Sequence, residues 1–170
     1  MHKAEERDSG RGSVARSETI DSPRVIVFPP IIFYGTFLLG TLAQWVWPLR
    51  LASGSFARIA GSLLIAVGVG LAGWGSYTMK KAGTNVMPSK PALAIVSSGP
   101  FRFTRNPLYL ANALIYLGLT LLTNVFWALL FFVPMLVLVD WGVIRREERY
   151  LEAKFGEGYL AYKRSVRRWL

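Results

Sequence analysis

No cysteine occurs among the 170 residues, and the single histidine is His2. Without thiols there is no disulfide framework, no thiolate nucleophile and no zinc–thiolate centre, and no metal site is expected. Acids are scarce as well, at 10 against 20 Lys and Arg, leaving a net charge of +10 and a pI near 10.3. Low hydrophobicity is what the chain does not have: 52% of residues are hydrophobic, 14% are aromatic and mean hydropathy is +0.34. That excludes disorder for the chain as a whole and is too apolar for an ordinary soluble domain. A basic excess of this size suggests nucleic acid only if it lies on one face. Here the charges fall between long apolar runs.

A bilayer core about 30 Å thick is crossed by roughly 20 helical residues. Uncharged stretches of that order run from Val25 to Trp47 and from Ile59 to Met79, with Pro29 and Pro30 in the opening turns of the first, where proline is tolerated. A third apolar block, Pro107 to Ile144, carries one acid, Asp140, and is broken near Thr123 and Asn124. It reads as a tight helical hairpin, so the expectation is an all-α integral membrane protein with four spans at about 25–47, 59–79, 107–122 and 125–144. The first span is too long for a signal-peptide core and follows a polar tail, residues 1–24, so it is read as retained. The tail itself has five basic and five acidic residues and no apolar period, and is expected to be flexible. His2 lies in it and is given no role.

The basic residues alternate by segment: five in the tail, two in Leu49 to Arg58, five from Lys80 to Arg105, none at the hairpin turn and eight from Arg145 onward. The positive-inside rule then puts both termini and the 80–105 loop in the cytoplasm. The charge is accounted for by topology and attraction to anionic lipid, and nucleic acid is set aside as a partner.

Gly68, Gly70 and Gly73 match the dinucleotide-binding pattern in spacing, but they lie inside an apolar helix with no strand before them, so that reading is rejected. With Gly61 and Gly75 they are expected to make one nearly bare helix face for close packing. The loop after this helix ends in a polar-aromatic cluster, Gly99 to Tyr109. Pro107 suits the first turn of the third span, with Asn106 as its N-cap, and Arg102 and Arg105 stand where either can hold a carboxylate or phosphate or anchor a headgroup. At the other end of the hairpin Glu147 and Glu148 follow Arg145 and Arg146. An acid at a helix C-terminus calls for a partner, and Glu147 is expected to meet a ligand ammonium or sulfonium. The hairpin brings it near Arg105 and Asn106, so that one pocket offers both signs of charge. Beyond it, Leu151, Phe155, Tyr159, Tyr162, Val166 and Trp169 recur at the period of an amphipathic helix. Gly156 and Gly158 interrupt that pattern, which predicts two short interfacial helices over 145–170 capping the pocket.

The stretch Ser98 to Tyr109, the pair Glu147 and Glu148, and the run Phe155 to Tyr162 together resemble the isoprenylcysteine carboxyl methyltransferase family of integral-membrane enzymes. The phospholipid N-methyltransferases share the first two motifs in looser form. The resemblance covers 84–169 and implies S-adenosylmethionine as methyl donor and a hydrophobic, lipid-like acceptor. It implies that Leu93, Ala94, Ile95 and Val96 line the adenosine side with Phe101. It further implies that Arg105, Asn106, Pro107, Leu108 and Tyr109 surround the cofactor and that Glu147 holds the donor's amino group. Three positions depart from the isoprenylcysteine enzymes: Asn106 replaces a histidine, Val143 stands where a substrate arginine is usual, and Ser165, Val166, Arg167 replace Arg-Val-Pro. Arg146, shifted toward the cytoplasm, is then the substrate-side candidate, with Arg145 its alternative, and no catalytic residue is assigned. A sulfonium methyl is already activated, so transfer needs chiefly alignment and exclusion of water. Alternatives are a phospholipid N-methyltransferase and a non-catalytic membrane scaffold. Oligomeric state and the role of Asp140 stay open at this point.

Overall fold

The computed structural model describes residues 28–51, 54–87 and 90–170; the tail and the first three residues of the expected first span lie outside them. The described residues form helices and no strand. α1 (Pro29–Val46) begins on the proline pair, where the missing N–H groups are ones the helix could not use. α2 (Ser55–Lys81) closes on Lys80 and Lys81, cations that suit the negative end of a helix dipole. α3 (Pro107–Thr123) starts at Pro107 and is stopped by Asn124, which adopts the left-handed conformation at φ 53° and sends its N–H back to the Thr120 carbonyl. Asn124 Oδ1 also accepts from the Leu51 backbone N–H at 2.9 Å, tying the turn to the α1–α2 connection.

The second arm of the hairpin differs from expectation. α4 (Phe126–Val139) passes through a π-helical turn at Asp140–Ile144 directly into α5 (Arg145–Phe155), so that residues 126–155 form one continuous rod. Two helices do occupy the expected cap, α5 and a second one after it, but the first is a continuation of α4 and not a separate element. No breaker separates Ile144 from Arg145, and the extra residue of the π turn is absorbed without ending the helix. The break comes at Gly156, at φ 54°, after which α6 (Glu157–Ser165) turns back over the bundle; Gly158 is simply part of α6.

α2 and the 126–155 rod are long and apolar enough to cross a bilayer, and only 17% of the most apolar window of α2 is buried. Large apolar side chains such as Leu42, Leu63 and Val133 stand exposed along the outer faces, as in a protein surrounded by lipid. α3 has 17 residues, about 26 Å of helix.

α2 and α3 pack most closely. A Cβ on Gly118 would lie 2.6 Å from the Gly61 carbonyl oxygen, one on Gly68 2.8 Å from that of Ala111, and one on Gly75 3.0 Å from Leu108. Gly70 and Gly73 meet nothing within 4 Å, so the expected single bare face is really the 61–68–75 stripe alone. Gly70 lies about 200° around the helix from Gly68. Gly118→Val is therefore expected to destabilise the purified protein by about 1–3 kcal/mol or more. Gly70→Ala should leave thermal unfolding in detergent nearly unchanged, and equal effects at the two positions would refute this packing.

Two apolar clusters result. One lies between the helices, around Tyr116, Ala128, Met135 and Val139, with Tyr116 donating to the Ala128 carbonyl at 2.9 Å. The other joins the cap to the loop: Val96, Phe101, Tyr159 and Tyr162, with Leu151, Phe155 and Val166 against them. Five of the six periodic cap positions thus join one cluster, and Trp169 packs on the first.

Candidate functional site

Between the two clusters is a cavity of about 290 Å³. Small-molecule sites begin at roughly 300 Å³. Its walls come from the first turn of α1, the end of α2, the 84–96 loop, the start of α3, and α5 and α6. The loop is held in place by backbone donors: Leu93 N–H to Thr84 Oγ1 at 2.9 Å and Ala92 N–H to Tyr150 Oη at 3.2 Å. Gly99, at φ 57°, makes the turn into the 3-10 segment Gly99–Arg102, where a Cβ would meet Thr78 Oγ1 at 2.7 Å. Phe101 is buried there, its carbonyl accepting from Tyr162 Oη at 2.8 Å.

The polar part of the cavity sits where α3 begins. Arg102 is exposed, whereas the Arg105 side chain is 9% exposed and turns inward. Arg105 Nη2 meets Glu148 Oε1 at 3.2 Å, and its Nε and Nη1 are buried without a hydrogen-bond partner. A charged donor left so costs about 1–3 kcal/mol or more, and an anion in the cavity would remove that cost. Glu147 accepts from Tyr109 Oη at 2.9 Å, which uses one of its several acceptor positions. The pair Glu147 and Glu148 thus divides: the first is held by a neutral hydroxyl at the cavity wall, the second by cations. Asn106 occupies the N-cap position of α3, but its side chain does not cap the helix; its Nδ2 donates to the Arg168 carbonyl at 2.9 Å instead. Burial raises the Tyr162 hydroxyl to about 12 and the Tyr159 hydroxyl higher still, with the Glu148 charge adding to the latter, so both remain protonated donors.

A buried arginine and two adjacent carboxylates thus share the wall of one largely apolar cavity in an all-helical bundle. The phospholipid methyltransferase family matches residues 56–158. The chain belongs to that family. It is a group of membrane methyltransferases related to the isoprenylcysteine enzymes. An uncharacterized protein of Haemophilus influenzae is 43% identical over 63 residues, which are 37% of this chain and the whole of that protein. No solved structure matches the chain.

Within this methyltransferase framework, Ala94, Ile95, Val96, Phe101, Arg105, Asn106, Pro107, Leu108, Tyr109 and Glu147 all line the one cavity. Leu93 does not: it is 61% exposed, pointing away while its N–H anchors the loop. Arg146 is half-buried and also absent from the wall. Several wall residues have no counterpart in the sequence reading: Phe28 just before α1, Pro29 and Pro30 in its first turn, Thr84, Asn85 and Lys90 from the loop, and Asn112. Only Asn112 left a trace in the sequence, as an amide three residues past Tyr109 in an otherwise apolar helix. Asp140, whose role the sequence left open, binds Arg145 Nε at 2.9 Å and Arg168 Nη1 at 3.3 Å.

Proposed function

We propose that this protein is an S-adenosylmethionine-dependent methyltransferase working within the membrane on a hydrophobic or lipid-like acceptor. Four spans, α1, α2, α3 and the rod from Phe126 to about Ile144, cross the bilayer, and both termini and the cavity face the cytoplasm. The distribution of Lys and Arg supports that orientation, since residues 80–105 and those from Arg145 onward hold 13 of the 20 and the hairpin turn holds none. The observation that carries the function is Arg105, with two buried, unpartnered guanidinium nitrogens at a cavity whose wall also includes Glu147.

These groups fit the amino-acid end of the donor. Arg105 would hold its carboxylate and Glu147 its ammonium, with Tyr109 fixing the Glu147 rotamer. Ile95, Val96 and Phe101 offer an apolar wall for the adenosine and keep water out. The bound donor supplies an activated sulfonium methyl, so the protein's task is to align it with the acceptor.

For the acceptor, a second reading draws on Val143. By the resemblance to the isoprenylcysteine enzymes its position is that of a substrate arginine, yet here the side chain is fully buried in the core. Arg145 binds Asp140 and lies 4.4 Å over the Trp141 ring. With Val143 in the core and Arg145 committed to Asp140, Lys90 is the wall cation left for a carboxylate acceptor, and an amine-bearing lipid, which must release its proton before attack, is the second reading.

Calorimetric titration of the detergent-solubilised protein with S-adenosylhomocysteine tests the donor site. Glu147→Gln is expected to weaken binding about tenfold or more through loss of a charge-assisted hydrogen bond. Unchanged affinity would remove Glu147 from the site. No saturable binding by well-folded wild type would favour the scaffold alternative.

A further inference from the structure

Arg168 is absent from the cavity wall and lies beyond the residues 56–158 that carry the family match. Its side chain is nonetheless only 29% exposed. Its guanidinium grips Glu148 with two nitrogens, Nε to Oε1 at 3.0 Å and Nη2 to Oε2 at 2.8 Å, while Nη1 reaches Asp140. The backbone here is stitched to the start of α3. The Arg168 carbonyl accepts from Asn106 Nδ2 at 2.9 Å and Thr104 Oγ1 at 3.0 Å, and the Arg167 carbonyl accepts from the Arg105 N–H at 2.9 Å.

Two guanidinium groups therefore compete for one carboxylate. Arginine and carboxylate favour the two-point fork, and Arg168 has taken it. Arg105 is left with a single contact through Nη2, at the oxygen Arg168 Nε already uses. That is the geometric reason its Nε and Nη1 stay uncommitted.

We infer that Arg168 is a positioning residue that, by occupying Glu148 in a fork, prevents Arg105 from closing onto the same carboxylate and so keeps Arg105 open to the carboxylate of a ligand. The inference rests on the donor reading above. Without Arg168 the Glu148 oxygens are released, Arg105 turns to form the fork itself, and the anionic end of the ligand loses its partner. The nucleoside end is unaffected, because its wall belongs to the apolar cluster around Val96 and Phe101.

Two probes separate this from a general loss of structure: S-adenosylhomocysteine, which carries the amino-acid group, and 5′-methylthioadenosine, which lacks it. In calorimetric titrations of the full-length solubilised protein, Arg168→Ala is expected to weaken S-adenosylhomocysteine about tenfold and leave 5′-methylthioadenosine within about twofold. Arg168→Lys, a point charge without a fork, should show the same selective loss in smaller size and carries the test if the alanine variant does not fold. In an Arg105→Ala background the Arg168 substitution should add little, since its effect runs through Arg105. Equal losses for both probes, no selective loss in Arg168→Lys, or full additivity with Arg105→Ala would each overturn the inference and leave the donor site standing. Wild-type protein that binds neither probe would overturn the donor reading and this inference with it.

Discussion

Arg105→Ala is expected to lower affinity for S-adenosylhomocysteine by about 30-fold or more, equivalent to about 2 kcal/mol, the lower end for truncating one partner of a buried charge pair. The reasoning is local. Arg105 is 9% exposed, and two of its nitrogens are buried without an acceptor, so a carboxylate placed there gains charge-assisted bonds that water does not contest. Glu148 keeps its fork to Arg168 when Arg105 is removed, so the cap stays attached and the loss is one of binding. Arg105→Lys should recover part of it, because a single ammonium restores the charge without the planar pair of donors. An affinity that does not move in Arg105→Ala would take the anion-binding role from this residue.

Glu148→Ala is expected to act on the fold, lowering stability by about 3–5 kcal/mol, the cost of removing one partner from a buried ion pair. The Glu148 side chain is 6% exposed and separates two guanidinium groups, those of Arg105 and Arg168. Its loss leaves the two cations facing each other with no anion between them. Asp140 compensates in part, since it already meets Arg168 at 3.3 Å, but it is shared with Arg145. An arginine keeps its proton in a protein, so neither cation can escape by becoming neutral. Thermal unfolding in detergent checks this. A midpoint close to wild type would mean that water enters the cluster, and Glu148→Gln should fall between the two.

Much of this was legible in the linear chain. Pro107 opens α3 and the Thr123–Asn124 break closes it, because a proline without a donor and an asparagine in a left-handed turn act locally. Leu151 and Phe155 on α5 and Tyr159 and Tyr162 on α6 follow the helical period within each helix, and the break at Gly156 folds both faces onto one cluster. Ala94 to Val96, Phe101 and Arg105 to Tyr109 came from a resemblance carried over residue by residue, and the fold gathers them at one cavity. Other features left no such trace. Arg168 sits in a run of basic residues from Lys163 to the C-terminus, where any one of them reads as a solvated or lipid-facing charge. The α1 contribution to the wall, Phe28 to Pro30, depends on how a remote helix leans and has no chemical signature of its own.

By itself, then, the sequence determined the helices, their apolar faces, the hairpin turn, the charge asymmetry and the inward face of the cap, since each of these depends on composition and period within a short window. The tertiary structure alone decided which glycines touch α3, that α4 runs unbroken into α5, and which acid takes which partner. The physical reason is angular. One residue is about 100° of helix, and a π turn inserts one more before α5 begins, resetting the direction of every side chain after Asp140. Whether Glu147 or Glu148 meets Arg105 is set by that phase and by the return of the C-terminal segment, which brings Arg168 to a carboxylate 20 residues earlier in the chain.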